Sequence, residues 1–324
     1  MKKSPAITLK DLSVLASCSV NTVSRALRNC DDISIATQEK IKKLANEKGY
    51  IPNRVPDFMR SGKTNMIGIV ISSITNPYFT IAIDELSREL QKHDYFPMIM
   101  VSHDDIMDMK LLMKLLENRV SGIFSFSDID DDVAEFCYKN HICLIRVGSK
   151  PQDERVNAIY ADRYLCGKLV ADEAIRRKVK RPCYINCNTV LSNIDRRNGF
   201  LDTLNKAGYG YDEYNCNFQT RHEEADALKS QIISNKNDFI FCFNDEIAAF
   251  VLELLEEYKY SNYVVFGIDG VAHYLPICRR INSVGGDFKE ISRRCTEILL
   301  DKINEFDDSV VHEVYPVELI MFDR

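Results

Sequence analysis

The chain has 324 residues, enough for one small domain and a larger two-lobed one. Its hydrophobic content of 45% and mean hydropathy of −0.22 indicate a soluble globular protein, since no apolar run approaches the roughly 18 residues of a membrane helix. The N-terminal sequence MKKSPAITLKDL lacks the apolar core of a signal peptide. We therefore expect a cytoplasmic protein that has no membrane partner.

Charge is divided unevenly along the chain. Residues 1–63 hold 12 Lys and Arg against 6 Asp and Glu, so their net charge is +6 and the −6 of the whole chain leaves −12 for the remainder. A basic N-terminal part on an acidic body predicts attraction to phosphate at one end only. The eleven cysteines form no CxxC pair, which fits a reducing compartment and buried structural roles.

The first two predicted elements are short helices separated by a tight turn. Thr8 is a predicted N-cap with Asp11 three residues on, like an acidic capping box. The chain then breaks at Ser17 and Cys18, and Ser19 is expected to cap the second helix. Apolar residues at helical spacing are expected to face inward on both helices: Leu9, Leu12, Leu15, Ala16, Val23, Ala26 and Leu27.

The outward face of the second helix carries side chains suited to reading DNA. Asn and Arg can form paired hydrogen bonds with base edges, whereas Ser and Thr hydroxyls hold phosphates. This pattern predicts a helix-turn-helix, although the helical spacing alone also fits an ordinary hairpin with a solvated outer face. The outward residues are Val20, Asn21, Thr22, Ser24, Arg25 and Arg28.

A third predicted helix begins after Ser34 and ends at Gly49, and further motifs follow it. They are Y-I-P-N at residues 50–53, SGKTN at residues 61–65 and N-P-Y-F at residues 76–79. Together with T-L-x-D and S-V-N-T-V-S-R in the first two helices, they resemble the lactose-repressor/galactose-repressor (LacI/GalR) family of bacterial transcription factors. The ordered set of motifs favours the DNA-reading interpretation over the hairpin.

The resemblance implies a homodimeric transcriptional repressor that binds a palindromic double-stranded DNA operator. Residues 50–63 correspond to a hinge segment, in which Met59 takes the place of the family's minor-groove Leu wedge. Pro56 and Asp57 depart from the family pattern in this segment. The residues expected to contact DNA are Thr8, Ser19, Val20, Asn21, Thr22, Ser24, Arg25, Asn53 and Met59.

From residue 66 onward, apolar strands alternate with amphipathic helices, which predicts an α/β body with doubly wound parallel sheets. Expected helices include residues 106–116 and 288–303, and the sequence VYPVELIMF is expected to be strand-like. The complete expectation is a small all-α helix-turn-helix head and a two-lobed periplasmic-binding-protein-like body. The predicted domains are residues 1–49 (head), 50–63 (hinge) and 64–324 (body), with lobe 1 at about 64–161 plus 286–314 and lobe 2 at about 162–285 plus 315–324.

The cleft between two such lobes is the expected site of a small effector, because ligands bind at the carboxyl ends of parallel strands. The resemblance implies that Tyr78 and Phe79 stack on a sugar ring and that Arg196, in R-R-N-G-F, anchors the ligand. For the aromatic pair, capping of the lobe core is the alternative; for Asn244 and Asp269 it is loop capping, and Asp162 could serve either purpose. The expected effector contacts are Tyr78, Phe79, Asp162, Arg196, Asn244 and Asp269.

Other features indicate no further chemistry. Asp128 and Asp130–Asp132 do not have EF-hand spacing and are expected at a solvated helix start, and the basic run at residues 176–181 is expected at a helix C-terminus. We expect no metal, no cofactor and no catalysis, because GxSxG, P-loop and GxGxxG motifs are absent. The alternative function is a solute-binding or sugar-modifying protein on the same two-lobed body.

Overall fold

The computed structural model describes residues 7–51, 64–187, 193–217, 220–271, 274, 281–304 and 309–322. The chain divides into two compact units, Met1–Lys63 and Thr64–Arg324, which are described separately below. None of the described helices is long and apolar enough to cross a membrane.

The N-terminal unit contains three helices, α1 (Leu9–Ala16), α2 (Val20–Leu27) and α3 (Ile35–Glu47). The prediction that Leu15 faces inward is wrong, since its side chain is 50% exposed. Leu12 and Ala16 lie one turn apart on the buried stripe, and Leu15 falls beside that stripe where neither neighbouring helix covers it. The buried core consists of Leu12, Ala16, Val23, Ala26, Ile41 and Ala45.

The predicted helix caps are confirmed. Thr8 Oγ1 accepts a hydrogen bond from Asp11 N (3.2 Å) and Asp11 Oδ2 accepts one from Thr8 N (2.8 Å), which completes the capping box. Ser19 Oγ caps α2 by accepting from Thr22 N at 3.0 Å. Ser17 makes the turn between α1 and α2 in the left-handed conformation, with φ of 53°. These local bonds fix where each short helix begins and ends.

The larger unit contains fourteen named strands and eight helices among its described residues. The strands are β1 (Met66–Ile71), β2 (Phe96–Val101), β3 (Ile106–Met107), β4 (Gly122–Ser125), β5 (Asp128–Ile129), β6 (Leu144–Gly148), β7 (Asn157–Ala161), β8 (Pro182–Asn186), β9 (Asp212–Asn215), β10 (Phe239–Cys242), β11 (Val264–Phe266), β12 (Ser283–Gly285), β13 (His312–Tyr315) and β14 (Glu318–Ile320). The helices are α4 (Pro77–Gln91), α5 (Met109–Glu117), α6 (Asp131–Lys139), α7 (Arg163–Arg176), α8 (Asn193–Lys206), α9 (Arg221–Ser234), α10 (Asp245–Glu257) and α11 (Phe288–Asn304).

Two parallel sheets define the two lobes of this unit. The first lobe has six strands in the order β13-β7-β6-β4-β1-β2, and the second has four in the order β11-β10-β8-β9. The strands β1, β4, β6, β8 and β10 are almost wholly apolar and buried, as expected for strands covered by helices on both faces. The predicted α/β class with doubly wound parallel sheets is therefore confirmed.

The chain passes between the lobes more than once. Helix α11 packs against α4 of the first lobe, and β13 joins the first sheet beside β7. Strand β14 instead pairs with β12, which adjoins the second sheet through the Phe266–Asn282 bridge. The predicted single strand VYPVELIMF is thus two strands in different sheets, separated at Pro316, whose missing N–H cannot continue a ladder.

Two other predicted boundaries are corrected by the structure. Residues 106–107 form the short strand β3 with β5, and the helix expected from residue 106 begins at Met109 after the N-cap Asp108. Strand β9 was not predicted, because its sequence DEYN is polar and it forms the edge of the second sheet. Asp128 lies in β5 and not at a helix start.

Candidate functional site

The outward face of α2 presents the side chains predicted to meet DNA. Val20 and Asn21 are exposed, and Thr22, Ser24 and Arg25 are partly exposed. The guanidinium of Arg25 is held by the carboxylate of Asp32, with Nη2 to Oδ1 at 2.8 Å, while the two side chains remain 41% and 51% exposed. The face is therefore accessible, and Arg25 is pre-oriented by an acidic neighbour that the sequence pattern did not reveal.

Several of the residues predicted to contact DNA also form the hydrogen bonds that begin α1 and α2. Thr8 and Ser19 cap the two helices, and the hydroxyls of Ser19 and Thr22 lie 2.8 Å apart. Their oxygens are thus occupied at the start of the helices in the DNA-free chain. Asn53 and Met59, the remaining predicted contacts, lie outside the described residues, as does the hinge segment around Pro56 and Asp57.

A cavity of about 630 Å³ lies at the carboxyl ends of the strands of both lobes in the larger unit. This is the expected ligand position for parallel sheets with helices on both faces. Five of the six predicted effector residues line the cavity: Tyr78, Phe79, Arg196, Asn244 and Asp269. Asp162 is not among its lining residues; Asp162 is exposed and caps α7, where its Oδ1 accepts from Leu165 N at 2.9 Å.

Tyr78 and Phe79 form an aromatic wall on the first-lobe side. Asn76 caps α4 at its N-terminus, and this cap places the two rings in contact with a centroid distance of 5.4 Å. Tyr78 also meets Phe126 and Phe288, at centroid distances of 6.2 and 5.5 Å. Burial is the main cause that raises the pKa of Tyr78 to about 12, so its hydroxyl is neutral near pH 7. The pair both borders the cavity and packs on the lobe core.

The second-lobe side is built on the crossing of α7 and α8. Gly167 and Gly199 allow this close approach, because a Cβ at either position would overlap backbone of the other helix. The crossing brings Arg163, the first residue of α7, and Arg196, in the first turn of α8, to the cavity. Arg163 was not predicted as a site residue, since nothing in the sequence marks it apart from its position beside the N-cap Asp162.

Arg196 is held in a buried position with unused hydrogen-bonding capacity. Its side chain is 6% exposed, and Nη1 donates to the backbone oxygen of Phe243. Its Nε is buried and has no hydrogen-bond partner among the described residues. Buried guanidinium N–H groups rarely remain unpaired, so this atom indicates a place for a ligand acceptor.

The acidic residues of the second lobe are strongly affected by burial. Burial raises the pKa of Asp269 to about 7, and the positive charges of Arg196 and Arg163 oppose this shift. Asp245 accepts hydrogen bonds from Ser283 Oγ (2.6 Å) and Val271 N (2.9 Å). Burial raises the pKa of Asp245 as well. Asp269 also has φ of 129°, a strained backbone conformation for a residue with a side chain. Such strain is found preferentially at functional positions.

A second polar cluster lies at the first-lobe end of the cavity and was also missed by sequence analysis. Arg146 of β6 is buried, donates to the backbone oxygens of Ser125 and Val147, and pairs with Asp128 at 2.8 Å. Burial raises the pKa of the neighbouring Asp105. A usable signal existed, because an Arg inside the apolar strand CLIRV is rarely buried without a specific partner.

Asn244 is the last of the predicted effector residues. Asn244 is buried, caps α10 by accepting from Ile247 N at 2.9 Å and also lines the cavity, so it fits both the predicted role and its alternative. The neighbouring Arg197 forms a two-pronged ion pair with Glu213 of β9. Among the described residues no group of His, Cys, Asp and Glu is arranged to hold a metal ion.

Comparison with known proteins assigns both units. Residues 8–53 match the model of bacterial regulatory proteins of the lacI family, and residues 64–275 match that of periplasmic binding proteins and the sugar-binding domain of the LacI family. The HTH-type transcriptional repressor PurR of Vibrio atlanticus (strain LGP32) is 25% identical over 323 residues, which cover 95% of this chain and 96% of the relative.

Solved structures show the same fold. A lac repressor dimer bound to operator and the anti-inducer ONPF aligns with a TM-score of 0.80 at 18% identity, over 98% of both chains. A complex of the transcriptional regulator CelR with cellobiose aligns with a TM-score of 0.65 at 20% identity, over 97% of this chain and 98% of the other. With a helix-turn-helix unit, a two-lobed body and a family match that spans most of its length, this chain belongs to the lacI family of bacterial regulatory proteins and is a DNA-binding transcriptional regulator.

Proposed function

We propose that the chain is a cytoplasmic homodimeric repressor that binds a palindromic operator and is controlled by a sugar or sugar derivative in the cleft. The exposed polar face of α2 carries the DNA part of this proposal, because side chains at the start of such a helix reach base edges in the major groove. Val20, Asn21 and Arg25 would read bases. Thr8, Ser19, Thr22, Ser24 and Asn53 would hold the backbone, and Met59 would act as the minor-groove wedge.

Two-fold symmetry supports the palindrome in this proposal. A dimer presents two copies of α2, so its site is expected to contain two inverted half-sites. The solved lac repressor structure is a dimer on its operator, which supports the same arrangement here. In this scheme residues 1–49 form the head, residues 50–63 the hinge and residues 64–324 the effector-binding and dimerisation part.

The cleft supports the effector part of the proposal. Its aromatic wall of Tyr78 and Phe79 suits the apolar face of a sugar ring, and Arg196, Asn244 and Asp269 offer donors and acceptors for hydroxyl groups. The structure of CelR with cellobiose supports a carbohydrate ligand for this body. Closure of the lobes on the effector would change the affinity of the head for DNA, a coupling of typically about 1–3 kcal/mol.

Selection of bound duplexes from a random library tests the proposed DNA reading. The full chain is expected to enrich two inverted half-sites at physiological salt, where non-specific phosphate binding is weak. Arg25→Ala should lower affinity roughly ten- to a hundredfold and relax selectivity at one base pair of each half-site. Arg88→Ala, on the exposed face of α4 in the body, is the matched control and should leave the enriched sequence unchanged.

The way in which the affinity of Arg25→Ala varies with DNA sequence shows whether Arg25 reads a base or holds phosphate. Uniformly weaker binding of Arg25→Ala to every sequence would show that Arg25 holds phosphate instead of reading a base. Enrichment of no sequence by the full chain, either with or without candidate sugars, would contradict the proposed operator recognition.

A further inference from the structure

The amino ends of the second-lobe strands meet at one edge of the sheet, opposite the edge that borders the cavity. The strands are parallel, and three of them begin in register, with Phe239 of β10 paired to Pro182 of β8 and to Val264 of β11. A helix ends before each strand of this sheet. We call the connecting segments, each with the last residue of its helix, the amino-edge loops; they are residues 176–181, 206–211, 234–238 and 257–263.

The amino-edge loops concentrate positive charge on a body that is acidic as a whole. They contain eight Lys or Arg and two Asp or Glu, whereas residues 64–324 carry a net charge of −12. The corresponding segments of the first lobe are residues 91–95, 117–121 and 139–143, with three Lys or Arg and two Asp or Glu. The large excess is therefore specific to the second lobe. Its basic residues are Arg176, Arg177, Lys178, Lys180, Arg181, Lys206, Lys236 and Lys259.

The ends of the helices do not account for this charge. The C-terminal end of a helix carries about half a negative charge, so the four helices that end here would balance about two positive charges. In the first lobe, three helices end beside segments with a single excess positive charge, which this explanation covers. In the second lobe it leaves most of the excess unexplained. A helix C-terminus is therefore too small a reason for the basic run at residues 176–181.

Most of the basic side chains are exposed and available for a partner. Arg176 and Arg177 form ion pairs with Glu173 of α7. The other basic side chains of the amino-edge loops are exposed and form no ion pair with any residue that the structure describes. They are Lys178, Lys180, Arg181, Lys206, Lys236 and Lys259.

The acidic residue between two of these loops is occupied by backbone groups. The carboxylate of Asp238 accepts hydrogen bonds from Lys180 N at 2.8 Å and from Arg181 N at 2.9 Å. Asn237 Nδ2 donates to the backbone oxygen of Arg181 at 3.2 Å, and Tyr260 Oη donates to that of Asn237 at 3.0 Å. These bonds join three of the four loops. The loops therefore form one connected surface on which the lysines and arginines are held without neutralising partners.

The composition of this surface favours a nucleic-acid backbone over a protein as the partner. Protein interfaces have an apolar centre that is poor in lysine, whereas DNA-binding surfaces are polar and strongly basic. Tyr258 is the one exposed large apolar side chain in the amino-edge loops, all of which the structure describes, and Lys229 Nζ lies 3.4 Å from the centroid of its ring. Adjacent strands lie about 4.8 Å apart, so the four loops form a row about 14 Å long that faces about four phosphates of one DNA strand.

We propose that the amino-edge loops form a second DNA-binding surface, which contacts the phosphate backbone of double-stranded DNA without reading its sequence. Lys and Arg side chains make these contacts, and phosphate contacts carry no sequence information directly. The surface belongs to the body and is distinct from the outward face of α2, so the inference goes beyond the proposed operator recognition. Its affinity falls as salt rises, because each neutralised phosphate releases counterions.

Acetylation of lysines in the full chain, with and without a short DNA duplex of random sequence, tests the inference. Mass spectrometry measures how much the duplex slows acetylation at each lysine at about 0.1 M salt. Acetylation of the loop lysines should slow several-fold; they are Lys178, Lys180, Lys236 and Lys259. The exposed body lysines outside the loops serve as controls and should react at the same rate with and without DNA; they are Lys110, Lys150 and Lys289.

A variant of three exposed side chains measures how far protection depends on the charge of the loops. The loop variant combines Lys178→Gln, Lys180→Gln and Arg181→Gln. It should raise the DNA concentration that half-protects Lys236 and Lys259 at least about tenfold, because one lost phosphate contact alone costs nearly that factor at 0.1 M salt.

A control variant has the same net charge as the loop variant and combines Lys110→Gln, Lys150→Gln and Lys289→Gln. It should leave the half-protecting DNA concentration unchanged. All the substituted side chains are exposed, so neither variant is expected to disturb the fold. An equal effect of the two variants would show that only the net charge of the chain matters and would overturn the inference.

Two other outcomes would also overturn it. One is equal protection by DNA of the loop lysines and the control lysines. The other is stronger protection of the loop lysines by polyglutamate of equal charge than by DNA, which would assign the surface to an acidic protein segment. The helix-turn-helix unit has its own lysines, such as Lys10 and Lys43, as a separate readout. Protection of the loop lysines without protection of these two would contradict the proposed operator recognition and leave this inference standing.

Discussion

Arginines in the two units of this chain occupy opposite surroundings. Arg25 on α2 is 41% exposed and its partner Asp32 is an exposed carboxylate, so the pair is screened by water and salt. Arg196 in the cleft is 6% exposed, anchored to backbone and surrounded by groups whose pKa values burial has displaced. The same type of side chain is accessible and screened by salt in one unit, and is fixed by burial and a backbone hydrogen bond in the other.

The largest expected effect concerns the core of the helix-turn-helix unit. Leu12→Ala should destabilise this unit by about 2–5 kcal/mol, since Leu12 is fully buried and its removal leaves a cavity. Leu15→Ala is the matched control, because Leu15 is exposed and should change stability by no more than about 0.5 kcal/mol. Amide hydrogen exchange of residues 9–47 measures both. An equal loss of amide protection in Leu12→Ala and Leu15→Ala would mean that the Leu15 side chain is buried in solution.

Leu12 and Leu15 also show how much of the fold can be predicted from the sequence pattern. Helical spacing identified the helices, the inward Leu12 and Val23 and the capping box at Thr8, because these follow from local periodicity and hydrogen bonding. Helical spacing wrongly predicted that Leu15 faces inward. The packing of the three helices decides which part of an apolar stripe is covered, and spacing along one helix does not contain that information. Tertiary packing decides such marginal positions.

The sequence predicted residues of the cleft only where they belong to a recognisable motif. Arg196 and Asn244 stand in recognisable sequence contexts, and the structure places both at the cavity. Arg163, Arg146 and Asp128 come from separate strand ends and helix starts, so their convergence is a property of the sheet order and not of local spacing. The displaced pKa of Asp269 likewise requires knowledge of burial.

A second prediction concerns Asp269 and pH. Its folded-state pKa of about 7 lies above the value near 3.9 expected for an unfolded Asp, so the folded state retains a proton that the unfolded chain releases. The stability of wild type relative to Asp269→Asn should therefore fall as pH rises from about 4 to about 7 and stay constant above that range. Urea unfolding of both proteins across this range measures the difference. A pH-independent difference would place the Asp269 carboxyl in water.

A smaller effect is expected at the exposed Arg25–Asp32 pair. Asp32→Asn removes a competing carboxylate from the DNA-facing side, so operator affinity should rise a few-fold, and more at low salt than at high salt. Asp31→Asn removes the neighbouring exposed charge without touching the ion pair and separates a general charge effect from release of Arg25. Fluorescence anisotropy with a labelled operator measures both variants. Equal gains in operator affinity for Asp32→Asn and Asp31→Asn would show that the Arg25–Asp32 ion pair has no specific role.

The smallest effect is expected at the turn between α1 and α2. Ser17 adopts the left-handed conformation, which costs less for glycine, so Ser17→Gly should stabilise the helix-turn-helix unit by about 0.5 kcal/mol. Thermal unfolding followed by amide exchange in α1 and α2 measures the change. Destabilisation would show that the Ser17 side chain contributes contacts that outweigh its backbone strain.

The central claim is that Arg25 reads DNA in one unit and that Arg196 anchors the effector in the other. Operator affinity of wild type, Arg25→Ala and Arg196→Gln, with and without candidate sugars, tests it most directly. Arg25→Ala should lose operator affinity, whereas Arg196→Gln should keep operator affinity and lose its response to the sugar. Loss of operator affinity in both variants without sugar would contradict this division between the two units.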